Sequence, residues 1–141
     1  MTPTAPSVQR SFRLSATTVG MLDAAAATGS ESRNALAERL LAEALHLEQH
    51  PLIRFRTGAA GRREPVIVGT RLLVRQVVAQ LRDGTDAQAV AEALDRPIRE
   101  IRAAISYYAQ FPAEIEADTQ MAATIEEAER ARWERERAAF E

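Results

Sequence analysis

The chain has 141 residues, no cysteine and 46% hydrophobic residues. That leaves room for one ordinary domain or two small ones and excludes wholesale disorder, disulfides, thiolate nucleophiles and Cys-based zinc sites. The net charge of −2 hides an uneven distribution: residues 51–112 carry ten arginines against six acids (+4), residues 113–141 four against nine (−5), and the first fifty residues four against five (−1).

No apolar run approaches the roughly 20 residues needed to cross a bilayer. Met1-Thr-Pro-Thr-Ala-Pro lacks the basic and apolar regions of a signal peptide. The expectation is a cytoplasmic protein with no membrane association. All 18 basic residues are arginine. Arginine suits bidentate phosphate and base contacts, although a GC-rich coding sequence, which the many alanines also fit, explains the bias equally well.

Residues 1–7 read as a disordered arm. From Val8 to Leu14 the sequence alternates, with Val8, Phe12 and Leu14 in one phase and Gln9, Ser11 and Arg13 in the other, the pattern of a half-buried strand. Arg10 falls in the apolar phase, where its stem could snorkel outwards at an edge. Ser15 is an N-cap candidate for a helix over residues 16–27, with Val19, Leu22 and Ala26 on one face. Gly29 is expected to end it in a left-handed conformation. Ser32 caps a second helix bearing Leu36, Leu40, Leu41, Ala44 and Leu45 at helical spacing, and His50-Pro51 stops it. One strand and two helices in some 45 residues bury too little surface and leave strand edges unpaired. Pairing with a second copy solves both problems, so residues 8–50 predict a homodimer.

Residues 51–65 read as irregular, with Gly58-Ala-Ala-Gly61-Arg-Arg-Glu-Pro65 as a loop. Val66-Ile67-Val68 is a short strand candidate and Gly69-Thr70-Arg71 a turn. Three helices follow. The first places Val74, Val77, Val78 and Leu81 on one face and stops at Gly84. The second opens with a capping box of Thr85 and Gln88 and buries Ala87, Val90, Ala91 and Leu94. The third starts near Asp95-Arg-Pro97, buries Ile98, Ile101, Ile105 and Tyr108, and ends at Phe111-Pro112. Residues 86–110 could form a helix-turn-helix. Residues 113–141 are an acidic tail, predicted as a helix marginal by itself and ordered by contact with something else.

The polar strand phase carries the sharpest functional signal. A paired two-stranded ribbon fits the DNA major groove, where Gln9, Ser11 and Arg13 would each appear twice. The N-terminus of the second helix, Ser32-Arg33-Asn34, offers free N–H groups and a guanidinium to a phosphate. Either feature could equally be a solvated surface or a plain cap. In the tail, Ile125, Trp133 and Phe140 could anchor a partner, with Arg130, Arg132 and Arg137 reaching its acidic groups. His46 and His50, with Glu43, have metal-ligand spacing but no second ligand cluster. Gly58-Ala-Ala-Gly61-Arg-Arg lacks the lysine and context of a phosphate loop. No catalytic set can be assembled, so neither an enzyme nor a metal or cofactor is expected.

The order of strand, Ser-capped helix, Gly, Ser-Arg-Asn-Ala-Leu and apolar helix over residues 8–48 resembles the ribbon-helix-helix (CopG/Arc/MetJ-like) family. The resemblance implies a DNA-binding dimer with base readers at Gln9, Ser11 and Arg13 and a phosphate clamp at Ser32, Arg33 and Asn34. Residues 51–110, through Pro65-Val-Ile-Val-Gly69-Thr70-Arg71-Leu-Leu-Val74, resemble the helical domain of VapB-like antitoxins, with a looser lead at Gly61-Arg-Arg-Glu-Pro65. The two together imply a mostly α antitoxin of a type II toxin–antitoxin system. Its ribbon-helix-helix domain (8–50) would bind operator DNA as a repressor. Its helical domain (51–112) and tail (113–141) would meet a toxin, often a PIN-type ribonuclease. A stand-alone regulator without a toxin is the alternative.

Overall fold

A computed structural model describes residues 5–141. The chain divides into two compact units at the Gln49–His50 junction.

Unit 1 contains two helices, α1 (Ala16–Thr28) and α2 (Arg33–Gln49). Ser15 caps α1, its Oγ accepting the Thr18 N–H at 3.1 Å, and Ser32 caps α2 by accepting the Ala35 N–H at 3.1 Å. These hydroxyls replace the partners that the first turn of a helix lacks. Gly29 is extended, with φ −103° and ψ 177°, and is not the left-handed terminus expected of it. Thr28 takes over part of the capping, its hydroxyl donating to the Ala25 carbonyl at 3.2 Å. Residues 5–15 have no regular secondary structure in the single chain. Among the described residues of unit 1 only Leu36 is buried.

Unit 2 has a proper core. β1 (Ile53–Thr57) and β2 (Arg63–Ile67) form an antiparallel hairpin in the register Ile53↔Ile67 to Thr57↔Arg63. The irregular reading of residues 51–65 is therefore corrected. Ile53 and Phe55 alternate with the exposed Arg54 and Arg56, and a short 3-10 turn at Ala59–Gly61 joins the strands. The Gly58 N–H closes it on the Arg62 carbonyl at 2.7 Å. The strand expected at residues 66–68 lies three residues earlier, and Val68 is already in the turn. At that turn the Thr70 hydroxyl donates to the Ile67 carbonyl and accepts the Leu72 N–H, both at 2.9 Å, while Gly69 takes φ +73°.

Three helices follow: α3 (Val74–Arg82), α4 (Ala87–Leu94) and α5 (Ile98–Gln110). Asp86, not Thr85, caps α4, its Oδ1 accepting the Ala89 N–H at 2.8 Å. A carboxylate at this position also complements the helix dipole. Asp95 does not open α5. It ends α4 in the left-handed region (φ 52°), and Pro97 precedes the first turn of α5. The inward face of α5 is Glu100, Ile101, Ala104 and Tyr107, whereas Ile105 is exposed and Ile98 and Tyr108 are half-buried. Tyr107 and Ala104 thus hold the core positions expected of Tyr108 and Ile105.

α6 (Pro112–Ala138) starts with proline in its first turn, where the missing N–H costs nothing. Ile115 and Asp118 are fully buried, so α6 begins inside the core of unit 2. From Glu126 onwards every residue except Ala131 is exposed. The helix nevertheless continues to Ala138. It is rooted in the core and carries i,i+4 pairs Glu126–Arg130, Arg132–Glu136 and Arg137–Glu141. Each such pair adds a few tenths of a kcal/mol, about 0.2–0.5, to a helix.

Gly84 ends α3 at φ +85° with open space where a Cβ would stand, and Gly20 lies inside α1, also in open space. Gly84→Ala should therefore lower stability by about 1–2 kcal/mol through backbone strain alone. Gly20→Ala should raise it by roughly 0.5–1 kcal/mol. Thermal melts of the two variants should move in opposite directions.

Candidate nucleic-acid and partner interfaces

In unit 1 the apolar side chains line a trough instead of a core. Phe12, Leu14, Met21, Leu22, Leu40 and Leu41 surround a cavity of about 600 Å3, with Ala25, Ala37 and Thr18 completing it. Phe12 is 73% exposed, Met21 70% and Leu41 50%. Exposed apolar surface of this extent marks an interaction site in a stable protein.

The residues expected to read DNA lie beside this trough in sequence. Gln9, Ser11 and Arg13 are exposed, but so are Val8, Phe12 and Leu14 of the opposite phase. The alternation is thus not resolved into an inner and an outer face within one chain. At the start of α2, Ser32 is occupied as the cap, Asn34 is exposed, and Arg33 pairs with Asp23 at 3.1 Å. Both partners are well exposed, so this is a weak surface pair that a phosphate could displace. Arg39 is held more firmly by Glu31, in contacts of 2.8–3.1 Å, and by Glu43. These contacts raise its pKa, the hydrogen bond to Glu31 being the largest cause.

The residues expected to meet a partner are spread along α6. Ile125 is half-buried in a small cleft of unit 2 with Arg62, Arg75 and Met121. Trp133 is 57% exposed and Phe140 93%, without apolar cover. Arg130, Arg132 and Arg137 each face a glutamate, and Arg137 also lies over the Trp133 ring at 5.1 Å. Ile125 therefore belongs to the folded body, and the other five form the exposed end of the helix.

Unit 2 also contains a polar interior that sequence reasoning missed. Asp118 on α6 is 1% exposed and accepts from Arg62 Nε at 2.6 Å, while its Oδ2 has no partner. Burial is the largest influence on it and raises its pKa, against the lowering effect of Arg62. On the neighbouring strand Glu64 pairs with Arg75 of α3 at 3.2 Å. The Tyr107 hydroxyl donates to Glu114 at 2.7 Å. His50 is buried edge-on to Tyr107 and Phe111, with its Nε2 2.7 Å from Gln110 Oε1. That places it in the packing of unit 2. No group of three or more His, Cys, Asp or Glu among the described residues could hold a metal ion.

On the surface of unit 2, Arg96 grips the buried Glu100 through two contacts of 2.6 and 2.7 Å. Arg82 bonds both Glu116 and the Tyr108 hydroxyl. These hydrogen bonds lower the pKa of Glu100 and of Glu116. The stability they supply is present above the ordinary carboxylate range and is lost as pH falls through their folded values. Asp118 has the opposite sign. Its raised pKa means that the folded state holds the proton more tightly, so its contribution falls as pH rises from the ordinary carboxylate value to the raised one. Asp118→Asn should flatten that fall, read as urea midpoints across the acidic range. A slope identical to wild type would show that burial does not govern this group.

Among the described residues, no helix is long and apolar enough to cross a membrane. No curated protein and no solved structure matches the chain. Residues 61–108, from the end of the hairpin turn through most of α5, match the model of a family described as a protein of unknown function (DUF433), and that segment of unit 2 is what the chain shares with known families.

Proposed function

We propose that the protein is a cytoplasmic DNA-binding repressor that acts as a homodimer and neutralises a protein partner, an antitoxin of the type II class. The observation that carries the reading is the uncovered apolar trough of unit 1. Burying one Leu, Met or Phe side chain is worth about 1.5–3 kcal/mol, and Phe12, Leu14, Met21, Leu40 and Leu41 are all left at least 44% exposed. A second copy supplies an identical apolar surface, and residues 8–14 of the two chains can then pair as an antiparallel ribbon. In that ribbon the apolar phase turns onto the helices, and Gln9, Ser11 and Arg13 face outwards for base contacts. The capped start of α2 lies ready for phosphate, with Asn34 exposed and Arg33 only loosely engaged.

The exposed end of α6 supports the partner-binding half of the proposal. Trp133 and Phe140 are large aromatic side chains without apolar cover, the residue types that dominate interface energetics. A ribonuclease toxin is the proposed partner, on the strength of the resemblances described above. The stand-alone regulator is favoured by a different observation: the arginines of this helix are paired with its own glutamates and need no partner for charge balance.

Leu41→Asp should convert the dimer to a monomer in sedimentation at micromolar concentration and remove DNA binding with it. A dimer that survives the change would sink the proposed pairing. Arg13→Ala should leave the dimer intact and weaken specific DNA binding by about 1–3 kcal/mol. Removing residues 130–141 leaves Ile115, Asp118 and Ile125 in place. Loss of partner capture on that truncation, with DNA binding retained, is the result expected of an antitoxin. Full retention of the partner would favour the stand-alone regulator.

A further inference from the structure

The arginines of unit 2 differ in how they are held. Arg62, Arg75, Arg82 and Arg96 each hold a carboxylate of the folded body. Among the described residues, Arg99 and Arg102 on α5 make no side-chain ion pair or hydrogen bond, although the charge of Arg99 is felt by Glu100. The difference follows from helix geometry. Residues 100, 101, 104 and 107 face the core, so at 100° per residue Arg99, Arg102 and Ser106 lie on the opposite side, and all three are exposed. The one acid of α5, Glu100, is buried and held by Arg96. The outer face of α5 therefore carries two positive charges and no negative one. On the exposed part of α6, by contrast, three of the four arginines, Arg130, Arg132 and Arg137, each have a glutamate four residues away.

A second element has the same character. Arg54 and Arg56 stand on β1 two residues apart, both exposed and, among the described residues, both without an ion pair. The hairpin packs on the inward face of α5, where Phe55 meets Tyr107, so Arg54 and Arg56 point away from α5 on the far side of the unit.

We propose that α5 is a second duplex-DNA contact, with Arg99 and Arg102 set against phosphates. Three observations point to DNA and not to protein. The outer face of α5 has charge complementary to a polyanion. Its small residues, Ser106 and Ala109, allow a duplex to approach closely, and the exposed Ile105 stands at the edge of this face rather than between the arginines. Finally, α4 and α5 are joined by residues 95–97 alone, the short turn of a helix-turn-helix in which the second helix meets the duplex. Guanidinium-to-phosphate contacts position a protein without reading sequence, so this surface adds affinity for any duplex. The inference extends the DNA-binding reading of unit 1 but stands on different residues.

The test uses the full chain on two short duplexes, one from upstream of its own reading frame and one scrambled, titrated between about 50 and 200 mM salt. Wild type is compared with R99A/R102A, R54A/R56A and R13A. For R99A/R102A the slope of log K against log salt should fall by about 1 for each lost contact, roughly 2 per chain, and equally on both duplexes. R54A/R56A, on the far side of the unit, should leave the slope unchanged, and a loss equal to that of R99A/R102A would overturn the assignment to α5, whereas R13A should act mainly on the upstream duplex. An unchanged slope for R99A/R102A overturns the proposal, as does a variant that binds DNA normally but self-associates less. If R99A/R102A loses binding and R13A does not, α5 stands and the ribbon reading falls; the reverse pattern overturns α5 alone. A wild type that binds neither duplex at the lowest salt overturns both. Should the alanine pair melt early, R99Q/R102Q repeats the measurement with the side-chain bulk kept.

Discussion

Unit 1 buries one described residue, Leu36, and leaves a trough lined with leucine, methionine and phenylalanine open. The conformational entropy of ordering two helices must be offset by removing apolar surface from water, and within one chain that surface is not removed. The caps at Ser15 and Ser32 fix where the helices begin, but caps of this kind contribute only about 1 kcal/mol each. What happens to the trough thus decides whether residues 8–14 become a strand, and with it which of their side chains face outwards. The proposed function of this unit depends on that burial more than on any single polar residue.

Unit 2 solves the same problem internally. The hairpin and three helices enclose Ile53, Ile67, Val74, Val77, Val90 and Ile101, and the first two turns of α6 close the core with Ile115. Several charges then take up defined places: Arg62 against the buried Asp118, Arg75 against Glu64, and Arg96 against Glu100. A buried ion pair is weak evidence for stability, because desolvation opposes the attraction. The upward shift of Asp118 despite its arginine partner is that opposition seen in one group. The Arg62–Asp118 pair does tie the hairpin turn to α6, so the segment that carries the exposed aromatic residues is anchored in the fold.

Helix positions and their apolar faces were largely legible in the sequence, because a 3.6-residue period survives any tertiary context. The Val-rich α3 and the caps at Ser15 and Ser32 are examples. The hairpin was missed although Ile53-Arg-Phe-Arg-Thr57 alternates. Two glycines and a proline nearby drew attention to the turn and away from the strands beside it. The face of α5 was misread because Ile98, Ile101, Ile105 and Tyr108 also make a helical stripe and Ile105 is more hydrophobic than Ala104, while the fold buries Ala104 and sends Tyr107 inward to meet Glu114. Asp118 left no local signal at all, since its partner Arg62 is 56 positions away. Of the candidate sites, Ser32 was legible as a cap and Trp133 and Phe140 as exposed aromatic residues. Residues 8–14 have no inner and outer face within the single chain, so their phase was not legible there.

The open trough also bears on dosage. If a second copy covers it, folding of unit 1 becomes a bimolecular event, and its stability rises with protomer concentration. The amount of paired unit then grows, at low abundance, as the square of the amount of chain. A gene controlled by such a unit would be released abruptly when its product is degraded and silenced abruptly when it accumulates. A threshold of this kind needs no ligand and no modification, only a surface too small to stay dry alone.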